Sequence, residues 1–138
     1  MSDTPPKKTI LIIEDEKDIR TLYSEILTDA GYIVEQASDG EVGFDLIKTL
    51  KWDLLLLDIM LPGKDGISIL KSVGGDSGLK RGPIILLTNL NSEEIIKDAF
   101  GMGAEGYLIK SEITPDKIVS EVNHFIGSKE PKGTPISI

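Results

Sequence analysis

Five short strand-like runs recur along the chain: Thr9–Ile13, Ile33–Gln36, Leu54–Leu57, Ile84–Leu87 and Gly106–Ile109. Each is four or five residues long and bounded by polar or turn-forming residues, which predicts strands. Between them the apolar positions change to helical spacing. Ile19, Leu22, Tyr23, Ile26, Leu27 and Ala30 mark a first helix, with Gly31 placed to cap its C-terminus. Val42, Leu46, Ile47 and Leu50 mark a second. A short third begins after Gly66 with Ile67 and Leu70, and the glycine-rich stretch Val73 to Pro83 reads as a long loop. Asn91 and Glu94 form a capping-box-like pair ahead of Ile95, Ile96, Ala99 and Phe100. Thr114 and Pro115 open a fifth helix that runs through Ile118, Val119, Val122 and Phe125 to Gly127.

Strands that alternate with helices predict an α/β fold, with a parallel sheet covered on both faces. The first, third and fourth runs are apolar throughout, as central strands require. Ligands of such sheets bind outside the carboxyl ends of the strands. Glu14 and Asp15 follow the first strand, Asp58 ends the third and Thr88 ends the fourth. Residues 1–8 and 128–138 read as tails around one domain, 9–127. The last segment also suits the start of a linker.

At 138 residues the chain makes about one domain. A net charge of -8 offers no basic footprint, so direct nucleic-acid binding is not expected. The absence of cysteine excludes disulfides, thiolate metal sites and cysteine nucleophiles. No stretch has the length of a signal peptide's apolar core or of a membrane span, so the expected location is cytoplasmic, away from membranes.

Acids at two neighbouring strand ends supply hard oxygen ligands, which suit magnesium. Without a cation, carboxylates this close raise one another's pKa. Other readings stand beside this one. Glu14 and Asp15 suit the first turn of a helix, where the dipole favours acids. Asp58 before Pro62-Gly63 suits a turn.

The segments together resemble a response regulator receiver domain of two-component signalling, from about Lys8 to Ile126. Ile12-Ile13-Glu14-Asp15-Glu16 resembles the family's acidic pair. Leu56-Leu57-Asp58-Ile59-Met60-Leu61-Pro62, with Gly63 and Asp65-Gly66, resembles its phosphoacceptor strand and loop. Leu87-Thr88 matches the hydroxyl position, and Gly103-Ala104-Glu105-Gly106-Tyr107-Leu108-Ile109-Lys110 matches the segment with the switch aromatic and the lysine. Four such pieces in order are highly specific.

The resemblance implies a flavodoxin-like, doubly wound five-stranded parallel sheet with five helices. Asp58 would accept a phosphoryl group from the phosphohistidine of a sensor histidine kinase or phosphotransfer protein. Asp15, Asp58 and the Met60 carbonyl would hold Mg2+ (or Mn2+), with Glu14 acting directly or through water. Lys110 and Thr88 would contact the phosphoryl oxygens, and Tyr107 would change rotamer with Thr88. The fourth helix, fifth strand and fifth helix would then present an altered surface to a downstream protein, or to a second copy in a phosphorylation-dependent dimer. The resemblance thus implies a phosphoacceptor switch that would assist its own phosphorylation and dephosphorylation, rather than an enzyme.

Five residues depart from or stand outside that pattern. Glu14 replaces the commoner aspartate. Asn89 stands where a small residue is usual, which bears on the attacking water and the dephosphorylation rate. Ser111 replaces a proline. A non-proline cis bond costs about 2.5–4 kcal/mol, so a trans Lys110-Ser111 bond is expected, with the next loop rerouted. Lys64 is unusual in its loop and reads as a solvated charge, or as an attraction for phosphodonors. The single His124 reads as structural or solvated rather than as a phosphorelay histidine.

Four functions compete. A stand-alone receiver leads, since no output domain follows the fifth helix. The alternative is a receiver fragment of a larger regulator or hybrid kinase. A phosphatase with an aspartyl-phosphate intermediate needs a second acid two residues after the nucleophile, where Met60 stands. A nucleotide-binding module needs a phosphate-cradling glycine loop after the first strand, where Glu14-Asp15-Glu16 stands.

Overall fold

The computed structural model describes residues 6–61, 64–75, 78–89 and 93–127. In chain order the elements are β1 (Thr9–Ile13), α1 (Lys17–Asp29), β2 (Ile33–Ala37), α2 (Gly40–Thr49), β3 (Leu54–Asp58) and α3 (Gly66–Gly75). They continue with β4 (Ile84–Thr88), α4 (Glu93–Gly101), β5 (Gly106–Ile109), a 3-10 turn (Lys110–Glu112) and α5 (Pro115–Gly127). The five strands form one parallel sheet in the order β2-β1-β3-β4-β5. The doubly wound α/β reading therefore holds.

The two-residue period of the strands sorts the core into two layers. Ile10, Ile12, Leu54, Leu56, Ile85 and Leu87 face Tyr23 and Leu27 of α1 and Ile118, Val122 and Phe125 of α5. Leu11, Ile13, Leu55, Leu57, Ile84 and Leu86 face Ile47 of α2, Ile69, Leu70 and Val73 of α3, and Ala99 of α4. All five residues of β3 and of β4 are buried, as strands covered on both faces require. The edge strand β2 leaves Glu35 and Gln36 exposed.

Helix ends follow local chemistry. Gly31 has φ +103°, and the N–H groups of Gly31 and Tyr32 reach the carbonyls of Thr28 and Leu27, a Schellman-type close to α1. Thr114 Oγ1 accepts from the Lys117 N–H at 3.2 Å at the start of α5.

Three readings of the sequence need correction or limit. The loop expected from Val73 begins later, because α3 runs to Gly75. Val73 is fully buried, and Gly74 packs so closely on the Met102 carbonyl that a Cβ would collide with it. Packing thus outweighs the helix-weakening tendency of glycine. Leu22 and Val42, placed on apolar faces by spacing, are about half exposed. The Asn91 cap and the C-terminal tail lie outside the described residues.

Candidate functional site

The parallel register brings the carboxyl ends of β1, β3, β4 and β5 to one edge of the sheet. Ile13 pairs with Leu57, Asp58 with Leu87, and Thr88 with Ile109. Glu14, Asp58, Thr88 and Lys110 each end or directly follow one of these strands, so one edge collects them all. The β3–α3 loop turns sharply beyond Asp58. The Gly66 N–H donates to the Ile59 carbonyl at 3.1 Å, and a Cβ on Gly66 would collide with the Asp58 carbonyl.

Lys110 is the hub of the site. Its Nζ donates to Asp58 Oδ2 at 2.8 Å and lies 2.7 Å from Glu14 Oε1 and 3.5 Å from Glu16 Oε1. The remaining oxygens are also held: Asp58 Oδ1 accepts from the Met60 N–H, and Glu14 Oε2 from the Glu16 N–H, each at 3.0 Å. Arg20 Nη1 donates to the Glu14 carbonyl at 2.8 Å. Glu14, Asp58 and Thr88 are buried and Asp15 is exposed.

Burial dominates the electrostatics. It pushes the Glu14 carboxyl from 4.5 up to about 7, against the hydrogen bonds of Lys110 and Glu16, with the Asp58 charge adding to the rise. Burial raises Asp58 as well, opposed by Lys110 and the Met60 N–H. For Lys110, burial works against the charge, but the two carboxylates outweigh it and the ammonium is held more firmly than usual. Tyr23, under the same cluster, is raised to about 12 by burial and by Glu14.

Glu14, Asp15 and Asp58 each offer a ligand oxygen, all within 4.8 Å of one another. An oxygen-only donor set with one exposed carboxylate fits magnesium or manganese, which keep several waters. Asp15, the exposed member, is best placed to meet such an ion, while Glu14 and Asp58 are both buried with their oxygens engaged by Lys110 and backbone N–H groups.

The other residues singled out by sequence fall around this centre. Met60 is 64% exposed beside Asp58. Tyr107 is half-buried on β5, its ring 6.0 Å from that of Phe100. Asn89 is exposed next to Thr88. No cis peptide occurs among the described residues, so the Lys110-Ser111 bond is trans and the chain enters the 3-10 turn directly. Lys64 is not simply solvated, since its Nζ lies 4.8 Å from the Phe44 ring centre. His124 packs edge-on against Phe125. Glu16 and Arg20 are the members of the site that sequence reasoning missed. Glu16 stood in the quoted acidic run, but nothing in its spacing pointed to Lys110.

The family model of the response regulator receiver domain matches residues 10–123, and the chain belongs to that family. The transcriptional regulatory protein DltR of Streptococcus agalactiae is 42% identical over 101 residues, 73% of this chain and 44% of that protein. The chain therefore spans less than half the length of such regulators. Protein CcdB of Bacillus subtilis is 31% identical over 119 residues, 86% of this chain and 97% of that protein. Among solved structures, chemotaxis protein CheY4 of Vibrio cholerae superposes with a TM-score of 0.80 at 29% identity, covering 87% of this chain and 99% of that one. The BeF3-activated N-terminal receiver domain of RstA from Klebsiella pneumoniae gives 0.79 at 31%, covering 88% and 100%. The fold and the two-component response regulator class are thus settled together.

Proposed function

We propose that Asp58 is the phosphoacceptor of a magnesium-dependent receiver switch. The observation that carries this is the pairing of a buried strand-end carboxylate with the Lys110 ammonium at 2.8 Å. A carboxylate oxygen of Asp58 attacks the phosphorus of a kinase phosphohistidine, the P–N bond breaks, and the imidazole leaves with the electron pair. The product is an acyl phosphate, which water later hydrolyses. Asp15 and Asp58, aided by Glu14 and the Met60 carbonyl, would hold a dication, which would supply charge neutralisation to the phosphoryl oxygens.

The chain's own residues do the rest. Lys110 leaves its carboxylate pairing to meet the phosphoryl group, as a compact point charge suited to it. The Thr88 hydroxyl turns to the same group, and Tyr107 moves into the space behind it. Phosphate adds roughly -1.5 to -2 charges, so one of two pre-existing arrangements is favoured. The output surface is α4-β5-α5, where Phe100 already stands partly exposed beside Tyr107. No external substrate is turned over, so the protein acts as a switch.

A second reading concerns context. The chain spans less than half of DltR, which suits a receiver that belongs to a larger regulator, whereas it matches nearly the whole of CcdB and of the CheY4 chain. The site's chemistry is the same in both.

Incubation with acetyl phosphate, with and without magnesium, followed by intact mass, tests the proposal. One phosphoryl group is expected on the parent with magnesium and none on Asp58→Ala. Equal uptake by the variant sinks the assignment.

A further inference from the structure

Lys64 and α2 form a contact that the phosphoacceptor chemistry does not itself require. The Lys64 ammonium sits 4.8 Å from the centre of the Phe44 ring, and the Lys48 ammonium lies 4.9 Å from the same ring. Both distances fall within cation–π range. Lys48 also reaches Asp45 at 3.5 Å, so its charge is partly met elsewhere. One turn earlier, Gly40 is buried against the Lys64 backbone, and a Cβ there would run into the Lys64 carbonyl. Gly43 packs in the same way on Ile13, the residue before Glu14. The first turns of α2 therefore touch both acid-bearing segments, the end of β1 and the loop beyond Asp58.

We propose that Phe44 and Lys64 tether the β3–α3 loop to α2 and thereby position the Asp58–Met60 segment for phosphoryl uptake. The loop's far end is fixed at Gly66, through the Ile59 carbonyl. The near end is Asp58 itself, whose Oδ1 accepts from the Met60 N–H. Lys64 lies between these anchors in sequence, so its contact with Phe44 holds the loop at a third point. Phe44 and Lys64 are positioning residues and touch no reacting atom. The inference rests on Asp58 as phosphoacceptor.

The experiment measures acetyl phosphate uptake by intact mass, magnesium affinity by calorimetry, and melting temperature without metal. Lys64→Met and Phe44→Leu are each expected to slow uptake and weaken magnesium by about 2- to 5-fold, the effect of losing one exposed cation–π contact. Their combination should be no worse than either alone. Lys64→Arg and Phe44→Tyr should restore parent values, and Lys48→Met should match the parent. Melting temperatures of the Lys64 and Lys48 variants should stay within about 2 °C of the parent, as expected for surface changes in a domain of this size, whereas Phe44→Leu also gives up packing against the core and falls further.

Parent-like uptake and magnesium affinity in both Lys64→Met and Phe44→Leu overturns the tether. Loss in Lys64→Met with none in Phe44→Leu also overturns it, because the lysine then acts by charge alone. Failure of the parent itself to take up phosphate removes the Asp58 reading instead, so the two failures are distinguishable.

Discussion

Replacing Glu14 by glutamine keeps the side chain's shape and removes its charge. The carboxyl is enclosed and lies at about 7 instead of 4.5, with burial as the main cause. A group whose folded pKa is raised contributes stability that is fully present below its unfolded value and is lost as pH rises through the folded one. For Glu14 that window runs from 4.5 to about 7. Each unit is worth about 1.4 kcal/mol, which sets a ceiling of roughly 3 kcal/mol on the loss. The raised Asp58 carboxyl shares the same lysine, so removing one charge relaxes the other and part of the profile remains. The assay is urea unfolding of metal-free protein between about pH 5 and about pH 8. The parent should lose about 2–3 kcal/mol across that range. Glu14→Gln should lose about half as much and exceed the parent in stability only at the alkaline end. Parallel profiles for parent and variant would refute the reasoning, because the ionisation of Glu14 would then carry no cost.

Lys110→Met leaves two buried carboxylates facing each other and should cost about 3 kcal/mol near neutral pH, with a smaller loss in acid, where protonated carboxyls need no counter-ion. Denaturant titrations at the two pH values check both parts. Magnesium at a hundredfold excess over its dissociation constant should stabilise the parent by about 2.7 kcal/mol. The shift should shrink in Asp15→Asn, and thermal melts with and without metal read it directly. Thr114→Ala removes the oxygen that accepts from the Lys117 N–H and should lower stability by about 1 kcal/mol with an unchanged denaturant slope.

The sheet and its site were legible in sequence because burial and spacing act together at strand ends. An apolar run covered on both faces needs no polar alternation, so β3 and β4 announced themselves, and the polar residue that ends such a run must emerge at the rim. Asp58 and Thr88 were therefore placed by position, while Lys110 came from the resemblance of the segment that ends in it. Long-range packing was less visible. Gly74 looked like a breaker, yet the close approach of the Met102 carbonyl selects glycine there inside a helix. Lys64 read as a solvated charge because Phe44 is twenty residues away in sequence, and only the docking of α2 on the loop brings the pair together. Glu16 obeyed the same rule, since its link to Lys110 exists only once β5 lies beside β4.

The charge count at this edge is the physical argument for a cation in the proposed chemistry. Glu14, Asp15, Glu16 and Asp58 gather near the Lys110 ammonium and the Arg20 guanidinium, an excess of two negative charges when all are ionised. Desolvation already holds Glu14 and Asp58 toward their neutral forms. An incoming phosphoryl group adds nearly two further negative charges, and Lys110 cannot offset these while it also serves two carboxylates. Either the acids take up protons or a dication enters. A proton on Glu14, whose carboxyl lies at about 7, relieves part of the repulsion and leaves Asp58 ionised. A proton on Asp58 would disable it as the proposed nucleophile, whereas a dication would neutralise the edge without either. On the proposed function, the same electrostatics would make metal binding and phosphorylation interdependent, with the exposed Asp15 as the point where an ion would enter.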